Sequence, residues 1–140
     1  MTSSANDYND YNTEIIQKFR ANNGAMPNGA PLLLLTTTGA RSRQPRINPL
    51  AFTRDGDRYV VIASKGGHPS NPDWYHNLVA SPEVKVEVDG QSFPARAIVA
   101  EGSERDRLFN AQAALMPNFA DYQTKTERKI PVVVLEPING

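Results

Sequence analysis

Thr38-Gly-Ala-Arg-Ser-Arg-Gln-Pro-Arg46 is the segment of this chain whose residue types point most directly to chemistry. It sets Arg41, Arg43 and Arg46 beside Gly39 and Ser42. The planar guanidinium fork meets phosphate and carboxylate oxygens two at a time. A Gly/Ser turn leaves backbone N–H groups free to join it. The chain carries 15 Lys+Arg against 15 Asp+Glu, a net charge of zero. Against that neutral background three arginines within one short loop make a local anion site. The bland alternative is a solvated loop whose guanidinium groups pair with nearby acids.

A second cluster, Ala63-Ser-Lys-Gly-Gly-His-Pro-Ser-Asn-Pro-Asp-Trp-Tyr-His-Asn77, runs from a strand end through a Gly-Gly turn into a helix start. Ser64 and Lys65 emerge where the strand stops, and the free N–H groups after Asn71 add positive potential. Such a place suits the polar edge of a planar ring, and Lys65 could stabilise charge developing on a ring carbonyl or nitrogen. Trp74 and Tyr75 read first as core or interface aromatics. His68 and His76 read as structural or surface groups. The third cluster, Met116 to Lys129, follows a helix and precedes the last strand. Its Tyr122 phenol can donate a hydrogen bond or a proton to an oxyanion at a pocket mouth.

Other classes lack support. There is no cysteine, so a disulfide scaffold, a thiolate nucleophile and a Cys-ligated metal are excluded, and two histidines do not make a His-rich metal site. The neutral balance argues against nucleic acid as a partner. Neither a nucleophile elbow nor a GxxxxGK[ST] phosphate loop is present. The N-terminus has no basic and apolar leader pattern, and no apolar run is long enough to cross a bilayer. The expectation is a soluble cytoplasmic protein.

These clusters need elements to hold them. The first seven residues are small and polar and read as disordered. Tyr8, Tyr11, Ile15, Ile16 and Phe19 are spaced as one face of an amphipathic helix that Asn22-Asn23-Gly24 stops. That helix packs on its own domain, or it is a mobile flap or touches a membrane surface. The membrane reading is the weaker, because Asp10 and Glu14 share its polar face with Lys18 and Arg20. Pro31 to Thr38 does not alternate and reads as a strand buried on both faces. Arg46–Thr53 and Arg58–Ser64 flank the turn signal Asp55-Gly56, and Pro49 makes the first of them an edge or a bulge. Asn71 reads as an N-cap with Pro72 at the first helical position, and the helix stops before Ser81-Pro82. Val84, Val86 and Val88 alternate with charged residues, Asp89-Gly90 offers a second hairpin, and Ser92–Ala100 follows. Ser103 to Asp106 resembles a capping box for a helix ending near Pro117. Ile130–Leu135 is the last strand. Two regions follow: a flexible N-terminus with its helix over 1–29, and a barrel domain over 30–140. The fold class is mainly β (α+β), a six-stranded antiparallel barrel with helices capping its openings.

The stretches LLLLTTTGARSRQPRINPL (32–50), YVVIASKGGHPSNPDWYHNL (59–78) and PNFADYQTKTERKIPVVVLEP (117–137) together resemble the deazaflavin-dependent nitroreductase and quinone reductase family. Its members are actinobacterial oxidoreductases with an FMN-binding split-barrel-like fold that use the 5-deazaflavin coenzyme F-420. The resemblance implies that Arg41, Ser42, Arg43 and Arg46 hold the coenzyme's phosphate and polyglutamate tail. It implies that Asn48, Pro49 and Leu50 line the deazaflavin ring, and that Ala63, Ser64, Lys65 and Gly66 meet its polar edge with Trp74, Tyr75 and Asn77 nearby. Phe19, Phe119 and Tyr122 would face the substrate, with the proton coming from Tyr122, the catalytic candidate, or from water. Phe119 stands where the family often has tyrosine, and Ala40 and Gln44 stand where basic residues are common. The implied activity is hydride transfer from the reduced coenzyme to an electron-poor small molecule: a quinone, an activated alkene or a nitroaromatic. FMN in the same barrel, or a non-catalytic carrier of the deazaflavin or a lipophile, are the alternatives.

Overall fold

Asp89 and Gly90 have φ angles of 49° and 78°. Both are left-handed, the geometry of the two-residue turn whose twist matches its flanking strands. The turn joins β5 (Glu83–Val88) to β6 (Gln91–Val99) in antiparallel register, with Val88 opposite Gln91. Gly56, at φ 65°, serves the turn between β3 (Thr53–Asp55) and β4 (Arg58–Ile62). Both expected hairpins therefore form. β1 (Leu32–Thr38), β2 (Pro45–Ala51) and β7 (Val132–Pro137) complete the sheet. The helices are α1 (Ser4–Ala21), α2 (Asp73–Ala80), α3 (Gly102–Leu115) and α4 (Asn118–Thr124). The structure is a computed structural model and describes residues 4–67 and 69–138.

The strand order is β2-β1-β5-β6-β7-β4-β3, with every pairing antiparallel. β2 and β3 are thus the two edges of the sheet, yet Phe52 alone separates them in the chain. One residue cannot span an open sheet of this width, since strands lie about 4.8 Å apart. The sheet must curl until its edges meet at Phe52. The strand count is therefore seven and not the expected six. The run Arg46–Thr53, read as one strand, starts at Pro45 and divides at Phe52, whose N–H still follows the β1 register to the Pro31 carbonyl (3.3 Å) while Thr53 pairs with β4. The bend also explains how β2 tolerates Pro49, because an edge strand leaves N–H groups outside the ladder.

Alternation sorts the side chains into two cores. Leu33, Leu35, Tyr59, Val61, Val86, Val133 and Leu135 fill the inside of the curl, and Trp74 and Leu78 of α2 plug it. Val60, Ile62, Val132 and Val134 point outward and are covered by Leu108 and Phe109 of α3 and Phe119 of α4. That double covering is why β4 and β7 read as unbroken apolar runs. Gln112, fully buried on α3, accepts from the Thr53 hydroxyl (3.1 Å) and ties the helix to the strand just past the bend.

Several local expectations change. α1 starts at Ser4, so residues 4–7 are helical rather than disordered, and residues 1–3 lie outside the described residues. The side chains of Tyr8 and Tyr11 also lie outside them. Phe19 is buried and Arg20 pairs with Glu87 on β5 (2.7 Å), so the end of α1 packs on its own domain. Gly24, at φ 81°, closes α1 as expected. Asn71 does not cap α2: the N-cap is Pro72, with no side-chain bond. No capping box opens α3 either. Glu101 is its N-cap, and Asp106 is instead paired with Arg105 and Lys129. Among the described residues no helix is long and apolar enough to cross a membrane.

Asp55 pins the β3–β4 hairpin to α3. It accepts from Arg107 at 3.2 and 3.3 Å and pairs with Arg58. The bonds from Arg107, then Arg58, lower its carboxyl from an ordinary 3.8 to about 2. A depressed folded-state value adds stability above the unfolded value and loses it as pH falls through the folded one. Asp55→Asn should therefore lower Tm at pH 7, and the gap to wild type should close between about pH 4 and pH 2. A gap that stays constant over that window in thermal melts would remove Asp55 from the account.

Candidate functional site

The loop between β1 and β2 is closed by its own backbone. Gly39 N–H donates to the Gln44 carbonyl (2.8 Å) and Arg43 N–H to the Gly39 carbonyl (2.9 Å). Arg43 takes φ 60°, a left-handed conformation that a non-glycine residue adopts only in a tight turn. A Cβ at Gly39 would meet the Ser42 hydroxyl and displace it from its place in the loop. Ser42 Oγ accepts from Gln44 N–H (3.2 Å) and Arg46 Nη2 (3.2 Å). The loop is anchored from below by buried Asn77 on α2. Its Oδ1 accepts from Ala40 N–H (3.0 Å) and its Nδ2 donates to Thr37 Oγ1 (3.1 Å).

Arg41, Arg43 and Arg46 are exposed. Among the described residues none of them has a carboxylate within 4.0 Å, whereas Arg20, Arg58, Arg105 and Arg107 all form ion pairs. The paired-loop alternative does not hold here: the three guanidinium groups keep their charge unspent. A cleft of about 410 Å³ opens beside Arg43, with Thr36, Thr38, Lys85 and Phe93 among its walls.

The loop feeds directly into β2, on which Asn48, Pro49 and Leu50 are half-buried. The β3–β4 register sets Thr53 opposite Val60. Across the closed seam β2 and β4 touch, and the chain runs on from β4 through Ala63 to Lys65. Ala63 closes the β4–β7 ladder by donating to the Pro131 carbonyl (2.9 Å). The chain then turns through a single 3-10 turn at Lys65–Gly67, with Lys65 at φ 48° and Gly67 at φ 83°. α4 lies on this turn: a Cβ at Gly67 would come within 2.8 Å of the Tyr122 carbonyl. Lys65 is exposed, with one long bond to Ser70 Oγ (3.4 Å). His68 lies outside the described residues.

Tyr122 is half-buried beside the turn. Its oxygen accepts from Asn118 Nδ2 (3.1 Å), and its O–H has no acceptor among the described residues. The Phe119 ring meets it edge-on at 5.5 Å, and Lys125 Nζ lies 5.8 Å from its ring centre. Several residues of the sequence reading are not exposed. Phe19, Ala63, Ser64, Trp74, Asn77 and Phe119 are all at most 8% exposed, and Phe19, Trp74 and Phe119 belong to the packed interior. Tyr75 is half-buried against the inner core. Asn77 spends its amide on the arginine loop. Among the described residues no cluster of metal-ligating side chains occurs.

Arg128 was missed by residue type alone. It reaches across from the segment before β7: Nη1 donates to the Ala63 carbonyl (3.2 Å) and Asn71 Oδ1 (2.7 Å), and Nη2 to the Ser64 carbonyl (2.7 Å). Burial alone pushes its guanidinium below the ordinary value, without discharging it. A larger cavity of about 710 Å³ lies between the bend and α3, walled by Pro31, Phe52, Leu108, Leu115 and Met116, the first residue of the third sequence cluster.

Residues 9–137 match the family described as F420H(2)-dependent quinone reductase. An F420H(2)-dependent quinone reductase of Mycobacterium tuberculosis is 43% identical over 124 residues, spanning 84% of this chain and 83% of that protein. The solved structure of an F420-H2 dependent reductase superposes with a TM-score of 0.71 at 41% identity, over 76% of this chain and 94% of that one. A second solved structure, described as a domain-swapped dimer, gives a TM-score of 0.72 at 36% identity, over 91% and 98% of the two chains.

Asn77 is the joint between the plugging helix and the arginine loop. Asn77→Ala would strand the Ala40 N–H and the Thr37 hydroxyl, at a cost of about 1–3 kcal/mol in urea unfolding. Amide hydrogen exchange at Ala40 should speed up as well. Wild-type stability with unchanged exchange would show that the loop holds itself.

Proposed function

The chain belongs to the F420H(2)-dependent quinone reductase family, and from that premise we propose that the loop 39–46 holds the coenzyme tail while the seam between β2 and the 63–66 turn seats its ring. The protein is an oxidoreductase that transfers hydride from reduced coenzyme F-420. The observation that carries the site reading is the set of three exposed guanidinium groups without a carboxylate partner among the described residues. The coenzyme tail, a phosphate followed by glutamates, is a polyanion of matching charge. Arg41, Arg43 and Arg46 grip it through paired N–H···O bonds. Asn48, Pro49 and Leu50, half-buried on the edge strand β2, would hold the flat ring. Ser64, Lys65 and Gly66 offer N–H groups and an ammonium to its polar rim.

Bound reduced coenzyme supplies a hydride to the acceptor. The protein contributes position and charge. Lys65 stabilises negative charge at the ring edge. The Tyr122 O–H, unspent among the described residues, donates a proton to the acceptor oxygen. A quinone fits this pairing of hydride and proton, and the names of the relatives support that acceptor class. Phe19, Phe119 and Trp74 act from the interior, as the packing that holds α1, α4 and α2 in place.

The test is a parallel titration with oxidised coenzyme F-420 and with FMN. Coenzyme F-420 should bind the more tightly, and its affinity should fall as salt rises. Changing Arg41 and Arg43 together to Ala removes charge-assisted bonds of about 1.5–3 kcal/mol each. The double variant should bind about a hundredfold more weakly at low salt and show a flatter salt dependence. Unchanged affinity places the tail elsewhere. Tyr122→Phe should lower kcat with a quinone about a hundredfold at nearly constant coenzyme affinity, and equal turnover would leave the proton to water.

A further inference from the structure

We propose that Arg128 is a positioning residue that aims the N–H groups of Ser64 and Lys65 at the coenzyme ring, and that Arg105 and Gln123 hold it in place. This rests on the reading that the 63–66 turn meets the ring.

The argument begins with the planar trans peptide, whose C=O and N–H point in opposite directions. Arg128 draws the Ala63 and Ser64 carbonyls toward itself at 3.2 and 2.7 Å. The N–H groups on the far sides of those two peptides belong to Ser64 and Lys65. Neither N–H has an acceptor among the described residues. A half-buried cation on one side of the strand end, helped at the Ser64 carbonyl by the Gly67 N–H (3.0 Å), therefore sets two unspent donors on the other. The third contact, to Asn71 Oδ1 (2.7 Å), explains why Asn71 does not cap α2: its side chain ties the entry of that helix to the same guanidinium. Only a planar fork reaches three acceptors set apart in this way, so lysine is not its equal.

Arg128 is itself clamped through the backbone. Gln123 on α4 donates from Nε2 to the Arg128 carbonyl (2.8 Å), and its Oε1 accepts from Ile130 N–H (3.1 Å). Buried Arg105 on α3 donates to that same Oε1 (3.0 Å) and to the Ile130 carbonyl (2.6 and 3.1 Å), and stacks on Phe109 at 4.4 Å. A continuous network thus runs from α3 through α4 and the 128–130 segment to the turn. Polar networks this well satisfied hold a unique geometry.

The test compares oxidised coenzyme F-420 with its tail-less headgroup, the deazaflavin ring with its ribityl chain but no phosphate, in binding titrations. Arg128→Ala should weaken both compounds by the same factor, about tenfold, because the ring and not the tail is affected. Arg128→Lys should recover only part of the loss. Guanidinium ion at tens of millimolar should rescue headgroup binding to Arg128→Ala, and the same concentration of sodium chloride should not. A merely structural arginine would not give that difference. Asn71→Ala removes one of the three acceptors and decides the matter if Arg128→Ala does not fold: it should weaken both compounds by one factor, about threefold. Wild-type headgroup affinity in a folded Arg128→Ala, or in Asn71→Ala where that variant stands in, overturns the inference and leaves the tail site intact. If wild-type protein binds the whole coenzyme but the headgroup competes nowhere, the ring reading falls and the inference with it.

Discussion

Phe52 is the only residue between the two edge strands of the sheet, and the closure it enforces places everything else. A seven-stranded sheet whose first and last strands are joined by one residue has to curl, and the curl separates an inner core from an outer one. It also brings β2 against β4. Without closure, the loop holding Arg41, Arg43 and Arg46 and the turn at Lys65–Gly67 would sit at opposite margins of an open sheet. With closure, the loop leads along β2 into the seam that the turn overlooks. Burial of the unbroken apolar strands β4 and β7 on both faces stabilises this arrangement, since each face meets its own set of large side chains.

Charge is distributed with the same economy. The chain is neutral, and where it uses arginine for structure it spends the charge: on Glu87, on Asp55, on backbone carbonyls before β7. The loop arginines are different because no described carboxylate approaches them. Desolvation explains the contrast with Arg105 and Arg128, while Arg20 and Arg107 are exposed and paired because a carboxylate lies beside them. Buried or half-buried guanidinium groups need full sets of acceptors, as Arg105 and Arg128 have. Exposed ones bear no such penalty and can wait for an anionic ligand. The family to which the chain belongs works with a coenzyme whose tail is such an anion, and the redox chemistry belongs to the coenzyme rather than to a metal or a protein nucleophile.

What could be read in advance follows from how local each signal is. Asp89-Gly90 announces its hairpin because left-handed φ angles select those residue types. Gly24 closes α1 and Ser81-Pro82 ends α2 for equally local reasons. The bend at Phe52 carries no local mark: phenylalanine is a good strand residue, and only the pairing of β2 and β3 with different neighbours divides them. α4 is seven residues long and has too few turns to show a period. The cap at Asn71 failed because a residue distant in sequence, Arg128, claims its side chain. The arginine loop was legible as chemistry because its residues are contiguous. Arg128, Gln123 and Arg105 were not, since their partners lie on other elements and meet only after folding.

A crystal structure of the protein with oxidised coenzyme F-420 bound tests the central claim most directly. The account predicts tail oxygens within about 3 Å of the guanidinium nitrogens of Arg41, Arg43 and Arg46, with the ring lying on β2 beside Ser64 and Lys65. Tail oxygens held by other residues, with those three arginines turned away or paired with acids of the chain itself, would contradict it.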